Sequence, residues 1–262
     1  MRCLEIKQYK GYLIDLDGTV YNGTNPIPTA KVFVDQLAEK GIPHLFLTNN
    51  ATRTPEEVVS YLWDICQIET TADHVYTSGL AAVDYIANNH AESKTYVVGE
   101  AALIRQMEAA GLELTNDIPD IDVVLQALDR EATYESLTVA SRAIRNGAAF
   151  IVTNPDTNIP TEVGLVPGSG SLTAFLERST QQEPLIIGKP YEHIMTGAVE
   201  RLGFDKTEVA MIGDNYNTDI LAGINYGLDT ILTLTGFTQR EDLEKVHAQP
   251  TYIIENMNEW KV

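Results

Sequence analysis

Asp15 and Asp17, in the run Asp15-Leu16-Asp17-Gly18-Thr19, are two carboxylates separated by one residue and preceded by the short apolar run Tyr12-Leu13-Ile14. That run reads as a buried strand, so both acids stand where a strand ends and a loop begins. Ligands of open α/β sheets bind just outside the carboxyl ends of the strands. Gly18 lets the backbone turn at once, which can aim both acids into one crevice. One carboxylate can then attack while its neighbour moves protons, provided that their environments differ. Taken alone, the same pentapeptide reads equally as an acidic surface turn.

Three further strand ends carry polar residues. Leu45-Phe46-Leu47 is followed by Thr48-Asn49-Asn50, a hydroxyl and amides ahead of a helix, which suits an oxyanion such as phosphate. Leu185-Ile186-Ile187 is followed by Gly188-Lys189-Pro190, a cation at a strand end. Val209 to Ile212 runs into Gly213-Asp214-Asn215-Tyr216-Asn217-Thr218-Asp219, which adds two carboxylates around a loop. Each has a plainer reading: Thr48-Asn49 as a turn, Lys189 as a solvated cation, Asp219 as an N-cap. Together they put a nucleophile candidate, an anion cradle, a lysine and metal-type acids at four strand ends.

The elements that must position these groups alternate. Strand-length apolar runs at Ile42–Leu47, Tyr96–Val98, Val123–Leu125, Phe150–Val152, Leu185–Ile187, Val209–Ile212 and Thr230–Leu234 are separated by helical periods. Thr54, Pro55 and Glu57 form a capping box ahead of one helix; others are expected over Ala101–Ala110, Tyr134–Arg145, Glu192–Leu202 and Asp219–Asn225. The pattern is α/β, with parallel strands covered by helices. Polar stretches at Asn88–Lys94 and Ser179–Glu183 bracket a middle segment that can fold as an insertion.

The 262 residues include 37 acidic and 18 basic ones, a formal net charge of −19. That balance argues against nucleic acid and anionic membranes as partners, while a small phosphorylated substrate needs only a metal ion and a few local cations. No apolar run is long enough to span a bilayer, and Met1–Lys7 has no secretory h-region. Cys3 and Cys66 make no metal or redox motif, so a reduced, cytoplasmic protein is expected, with a Cys3–Cys66 disulfide unsupported. Neither a phosphate-binding P-loop nor a dinucleotide fingerprint occurs, and no histidine has a partner at zinc-site spacing.

Asp-x-Asp-Gly-Thr, a strand ending in Thr-Asn, Gly-Lys-Pro and Gly-Asp-x-x-x-x-Asp, in that order, resemble the haloacid dehalogenase superfamily of phosphohydrolases. Tyr76-Thr77-Ser78, Thr153-Asn154-Pro155-Asp156 and Pro167-Gly168-Ser169-Gly170-Ser171 resemble its NagD-like branch, which includes acid sugar and p-nitrophenyl phosphatase-like proteins. The resemblance implies a Rossmann-like parallel-sheet core over 1–83 and 183–262, with an inserted α/β cap over 84–182. Members often have glycine before the cap's hydrophobic-Asp-Arg element, where this chain has Gln126-Ala127-Leu128-Asp129-Arg130.

The resemblance further implies that Asp15 is the nucleophile and Asp17 the general acid, then base. Mg²⁺ is the implied cofactor, held by the Asp15 carboxylate, the Asp17 backbone carbonyl and Asp214, with Asp219 either a direct ligand or a support for metal waters or Lys189. Thr48, Asn49 and Lys189 would hold the phosphoryl oxygens, and Asn215 to Thr218 would line the mouth. In the cap, Asp129, Arg130, Asn154 and Asp156 are candidates for the leaving group. The expected activity is hydrolysis of phosphate monoesters of small metabolites by a monomer or homodimer. A phosphotransferase or mutase on the same site, or a metabolite-binding regulator without catalysis, are the alternatives.

Overall fold

A computed structural model describes residues 7–161 and 164–262. The Met1–Ile6 start, and with it Cys3 and any pairing to Cys66, lies outside the described residues. Packing divides the chain into two compact units: Met1–Leu47, Val59–Val75 and Met195–Val262 form the first, and Thr48–Val58 and Tyr76–Ile194 the second.

The first unit is built on a six-stranded sheet in the order Tyr252–Ile254, Asp229–Thr233, Val209–Gly213, Gly11–Ile14, His44–Thr48, Val75–Thr77. Gly11–Ile14 runs parallel to both of its neighbours, with Leu13 opposite Met211 on one side and Leu45 on the other. Every residue of Gly11–Ile14, His44–Thr48 and Val209–Gly213 is buried, as strands covered on both faces must be. That double covering is why these strands show in the sequence as unbroken apolar runs. The helix Pro28–Lys40 was not expected from sequence, although Pro28 opens it and Gly41 closes it in the left-handed conformation. It buries Ala30, Phe33, Val34 and Leu37, one stripe at helical spacing.

The second unit has a parallel four-stranded sheet in the order Leu185–Ile186, Ala149–Val152, Val123–Gln126, Thr95–Val98. Tyr134–Arg145 is helical over the expected span, with Thr133 and Ser136 exchanging cap hydrogen bonds. Its buried face meets Ser169–Thr180 in a core that includes Val124, Ile144, Phe150 and Leu176. Ala127 is buried, so the position that departs from the family pattern is a packing position.

Two differences from the sequence expectation concern connections. Leu185–Ile186 joins the sheet of the second unit, its residues opposite Ile151 and Val152, and Thr48–Val58, Tyr76–Val83 and Glu183–Ile194 pack with that unit as well. Ser78 Oγ donating to the Asn49 carbonyl and the Arg105–Glu57 ion pair tie these pieces together. The second difference is at Asp219, which does not open an α-helix. Tyr216–Ile220 is a π-helical turn leading into the helix Leu221–Tyr226. The Asn215 carbonyl accepts from both Asp219 and Ile220 N–H, which widens the turn.

His44 is buried in the first unit, stacked on His74 and edge-on to Phe46, and its Nε2 has no hydrogen-bond partner among the described residues. Burial, reinforced by His74, lowers its pKa from 6.5 to about 4. The unfolded chain therefore binds a proton that the folded chain refuses. Stability is full above pH 6.5 and is lost as the pH falls towards 4. His44→Phe is expected to remove about 2 kcal/mol of the stability loss between pH 7 and 4.5. Urea unfolding at the two pH values measures this, and an unchanged pH slope in the variant would rule His44 out.

Candidate active site

Gly11–Ile14 delivers Asp15 to the carboxyl end of the first sheet, and the Asp15 N–H continues the ladder by donating to the Ile212 carbonyl. The chain then turns: Thr19, Val20 and Tyr21 N–H groups all point at the Leu16 carbonyl, and Gly18 takes φ +98°. This turn separates the two acids. Asp15 is 7% exposed, whereas Asp17 faces solvent and accepts from the Gly23 N–H at 3.4 Å.

Val209–Gly213 delivers Asp214 at the end of the neighbouring strand, and the π-turn folds Asp219 back beside it. Asp214 is 2% and Asp219 1% exposed. One oxygen from each of Asp15, Asp214 and Asp219 lies within 4.8 Å of the others. The Asp17 carboxylate is not in this group; from sequence, Asp17 is expected at the cation only through its backbone carbonyl.

Two carboxylates of the trio, Asp214 and Asp219, are aimed by donors. Asp214 accepts from Thr19 Oγ1 at 3.2 Å on one oxygen and from the Phe237 N–H at 2.6 Å on the other. Asp219 accepts from the Asn215 N–H at 3.0 Å and Thr218 Oγ1 at 3.2 Å. The Asn215 side chain accepts from the Asn217 N–H, so its amide oxygen is engaged within its own loop. Three buried carboxylate oxygens are a hard, anionic donor set. Such a set suits a divalent cation with oxygen preference, and Mg²⁺ fits it.

The second unit holds a separate polar cluster. Lys189 is 1% exposed, and Asn49 grips its backbone from both sides: Lys189 N–H donates to Asn49 Oδ1 at 2.8 Å, and Asn49 Nδ2 donates to the Lys189 carbonyl at 3.0 Å. Asn49 Nδ2 also donates to Asp156 Oδ2 at 3.1 Å, which accepts from Asn154 Nδ2 at 2.7 Å. From sequence, Asn49 is expected at the phosphoryl oxygens; in the structure its amide is committed to Lys189 and Asp156. Thr48 is buried and its Oγ1 accepts from the Asn50 N–H at 3.1 Å, which leaves the hydroxyl proton to donate.

Residues 12–113 match the family described as haloacid dehalogenase-like hydrolase, and residues 186–260 match a HAD-hydrolase-like family. Acid sugar phosphatase of Staphylococcus aureus (strain USA300) is 48% identical over 254 residues, 97% of each chain. The chain belongs to the haloacid dehalogenase-like hydrolases. Among solved structures of this family, a double mutant thermostable NPPase from Geobacillus stearothermophilus superposes with a TM-score of 0.91 at 44% identity, covering 98% of this chain and 99% of that one. A putative p-nitrophenyl phosphatase from Bacillus subtilis gives 0.87 at 46% identity, covering 97% and 96%. These relatives agree with the NagD-like branch of the family.

Within this haloacid dehalogenase-like chain, the four cap candidates part company. Asn154 and Asp156 join the Asn49 cluster, whereas Arg130 makes a bidentate pair with Glu100 at 2.6 and 2.8 Å and Asp129 caps its own turn through the Glu131 N–H. The Arg130 guanidinium holds the Glu100 carboxyl below its ordinary pKa. Sequence reasoning missed Thr19 and Phe237 as partners of Asp214. Thr19 lies inside the Asp-x-Asp-Gly-Thr run and was within reach of sequence. Phe237 acts through its backbone N–H, which leaves no side-chain signature.

Gly188 leaves the space that the Lys189 cradle needs. A Cβ there would lie 2.6 Å from the Thr153 carbonyl oxygen and 2.7 Å from Asn49 Oδ1. Gly188→Ala is expected to break the Asn49 grip and cost about 1–3 kcal/mol, read from urea unfolding. Wild-type stability would show that the cradle accommodates a methyl group.

Proposed function

We propose that this hydrolase is a Mg²⁺-dependent phosphatase that cleaves phosphate monoesters of small metabolites, sugar phosphates or nucleotides, through an aspartyl-phosphate on Asp15. The observation that carries the reading is the buried Asp15–Asp214–Asp219 trio with Asp17 held outside it in solvent. The 48% identity to an acid sugar phosphatase supports it. Division of labour between two acids requires two environments, and the turn at Gly18 provides them.

Asp15, Asp214 and Asp219 would hold the cation, with the Asp17 carbonyl as a further ligand. When bound, Mg²⁺ offsets the repulsion between an anionic nucleophile and a phosphate and stabilises charge in the transition state. The Asp15 carboxylate attacks phosphorus in line with the ester oxygen; the new O–P bond forms as the ester P–O bond breaks. Asp17, protonated, gives its proton to the departing oxygen. Asp17 then removes a proton from a water that attacks the same phosphorus, and the Asp15 O–P bond breaks to release inorganic phosphate. Thr48 Oγ1 and the Lys189 ammonium hold the transferring oxygens, and Asn49 positions Lys189. Asn215 to Thr218 line the mouth, and a cap, proposed over 84–182 from the resemblance, selects the leaving group, with Asn154 and Asp156 as its polar contacts.

The net charge of −19 fits a small phosphorylated partner rather than nucleic acid. No helix among the described residues is long and apolar enough to cross a membrane. The cytoplasm and a monomer or homodimer complete the proposal.

Asp15→Asn is expected to lower turnover of p-nitrophenyl phosphate by at least about 10³-fold. EDTA should abolish wild-type activity and Mg²⁺ restore it; activity indifferent to chelator would sink the metal assignment. Asp17→Asn separates the two half-reactions. p-Nitrophenolate leaves without a proton, so this variant should still release one burst of it and then stall as the acyl phosphate, trapped by acid quench and hydroxylamine. Steady turnover at the wild-type rate would refute the acid–base role.

A further inference from the structure

Four consecutive residues after the strand Asp229–Thr233 touch the two acidic loops, and none belongs to the motifs above. Thr235 Oγ1 donates to the Gly18 carbonyl at 2.8 Å. Gly236 lies so close to the Asp214 carboxylate that a Cβ would overlap it, and the same Cβ would lie 2.8 Å from Gly18 Cα. The Phe237 N–H donates to Asp214 Oδ2 at 2.6 Å, and the Thr238 N–H to the Asp214 carbonyl at 3.1 Å. The Thr238 hydroxyl, buried, accepts from the Tyr216 N–H at 2.8 Å at the start of the π-turn that carries Asp219.

The direction of these contacts matters. Four polar groups of Thr235–Thr238, the two hydroxyls and the N–H groups of Phe237 and Thr238, engage either the Asp15–Gly18 turn or the Asp214–Asp219 loop, so the segment fastens the two acid-bearing loops to one another. Phe237 shows the same bias: its side chain is 71% exposed while its N–H is on a buried carboxylate. With Thr19 Oγ1 on Asp214 Oδ1 and the Phe237 N–H on Oδ2, both oxygens of the carboxylate are held by donors, which sets its rotamer. Carboxylates that are forced together repel, and a loop free to move would relax by swinging Asp214 or Asp219 away.

We propose that Thr235–Thr238 is a positioning clamp for the cation site, which holds Asp214 and the π-turn so that the three-carboxylate ligand set exists before a cation arrives. This rests on the Mg²⁺ reading given above. The residues act through Asp214 and the Asp219 turn and touch no reacting atom. Removing one clamp contact therefore lowers the affinity for Mg²⁺ and leaves the interactions of bound substrate alone.

Isothermal titration of the metal-free protein with Mg²⁺ alone tests this. Thr238→Val removes the acceptor for Tyr216, and Gly236→Ala intrudes on Asp214. Each is expected to weaken Mg²⁺ at least about tenfold, in line with losses at residues that orient metal ligands. Thr238→Ser, which keeps the hydroxyl, should stay within about twofold. At saturating Mg²⁺, KM for p-nitrophenyl phosphate should be unchanged in all three. Far-UV circular dichroism in EDTA checks the fold; if Gly236→Ala does not fold, Thr235→Val, which releases the Gly18 carbonyl, takes its place with the same expected direction. Folded Thr238→Val that binds Mg²⁺ as wild type does would overturn the clamp. Wild-type protein that binds no Mg²⁺ would instead overturn the metal reading beneath it.

Discussion

Mutual repulsion among Asp15, Asp214 and Asp219 is the constraint around which the first unit is organised. Their oxygens approach within 4.8 Å in a buried place. At an effective dielectric of about 20, each ionised pair at that range repels by about 3 kcal/mol. A fold tolerates such a cost only where it has a use for the charge. Strand registry brings the acids together, since Gly11–Ile14 and Val209–Gly213 are adjacent and parallel and end side by side. The donors Thr19, Phe237, Asn215 and Thr218 then hold the carboxylates where they would not otherwise stay.

The second unit shows the complementary device, a buried cation held by its backbone. Asn49 uses both ends of its amide on the Lys189 peptide groups, and Asp156 fixes the remaining hydrogen of that amide. A long, flexible side chain is thereby anchored at its root. Rotamer freedom that a lysine would lose on binding an anion is already restricted at its base. Gly188 is what lets Thr153 and Asn49 come close enough to do this.

Much of the fold was legible because its two larger sheets are parallel and their central strands are buried on both faces. Burial on both sides leaves continuous apolar runs, so the strands and the acids at their ends could be read directly. Tyr134–Arg145 and Glu192–Leu202 were legible through their helical spacing. What escaped was decided by partners distant in sequence. Leu185–Ile186 carries no mark of which sheet it enters; pairing with Ile151 and Val152 assigns it. Asp219 looked like a helix N-cap because its residue type suits one, and the π-turn that overrides this depends on two donors to the Asn215 carbonyl.

From the sequence alone came the inventory: two acids after the first strand, a Thr-Asn pair, a lysine next to glycine at a strand end, and two more acids after a later strand, in an order shared with a hydrolase family. Tertiary structure decided how that inventory is divided. Asp15 shares its pocket with residues about 200 positions away and not with Asp17, two positions away. Asn49 serves Lys189, and an unremarked run, Thr235–Thr238, holds the acids in place. Residue type and spacing encode chemistry and local periodicity, which act over a few residues. Which carboxylates converge is set by strand registry and by backbone donors, and neither leaves a trace in side-chain identity.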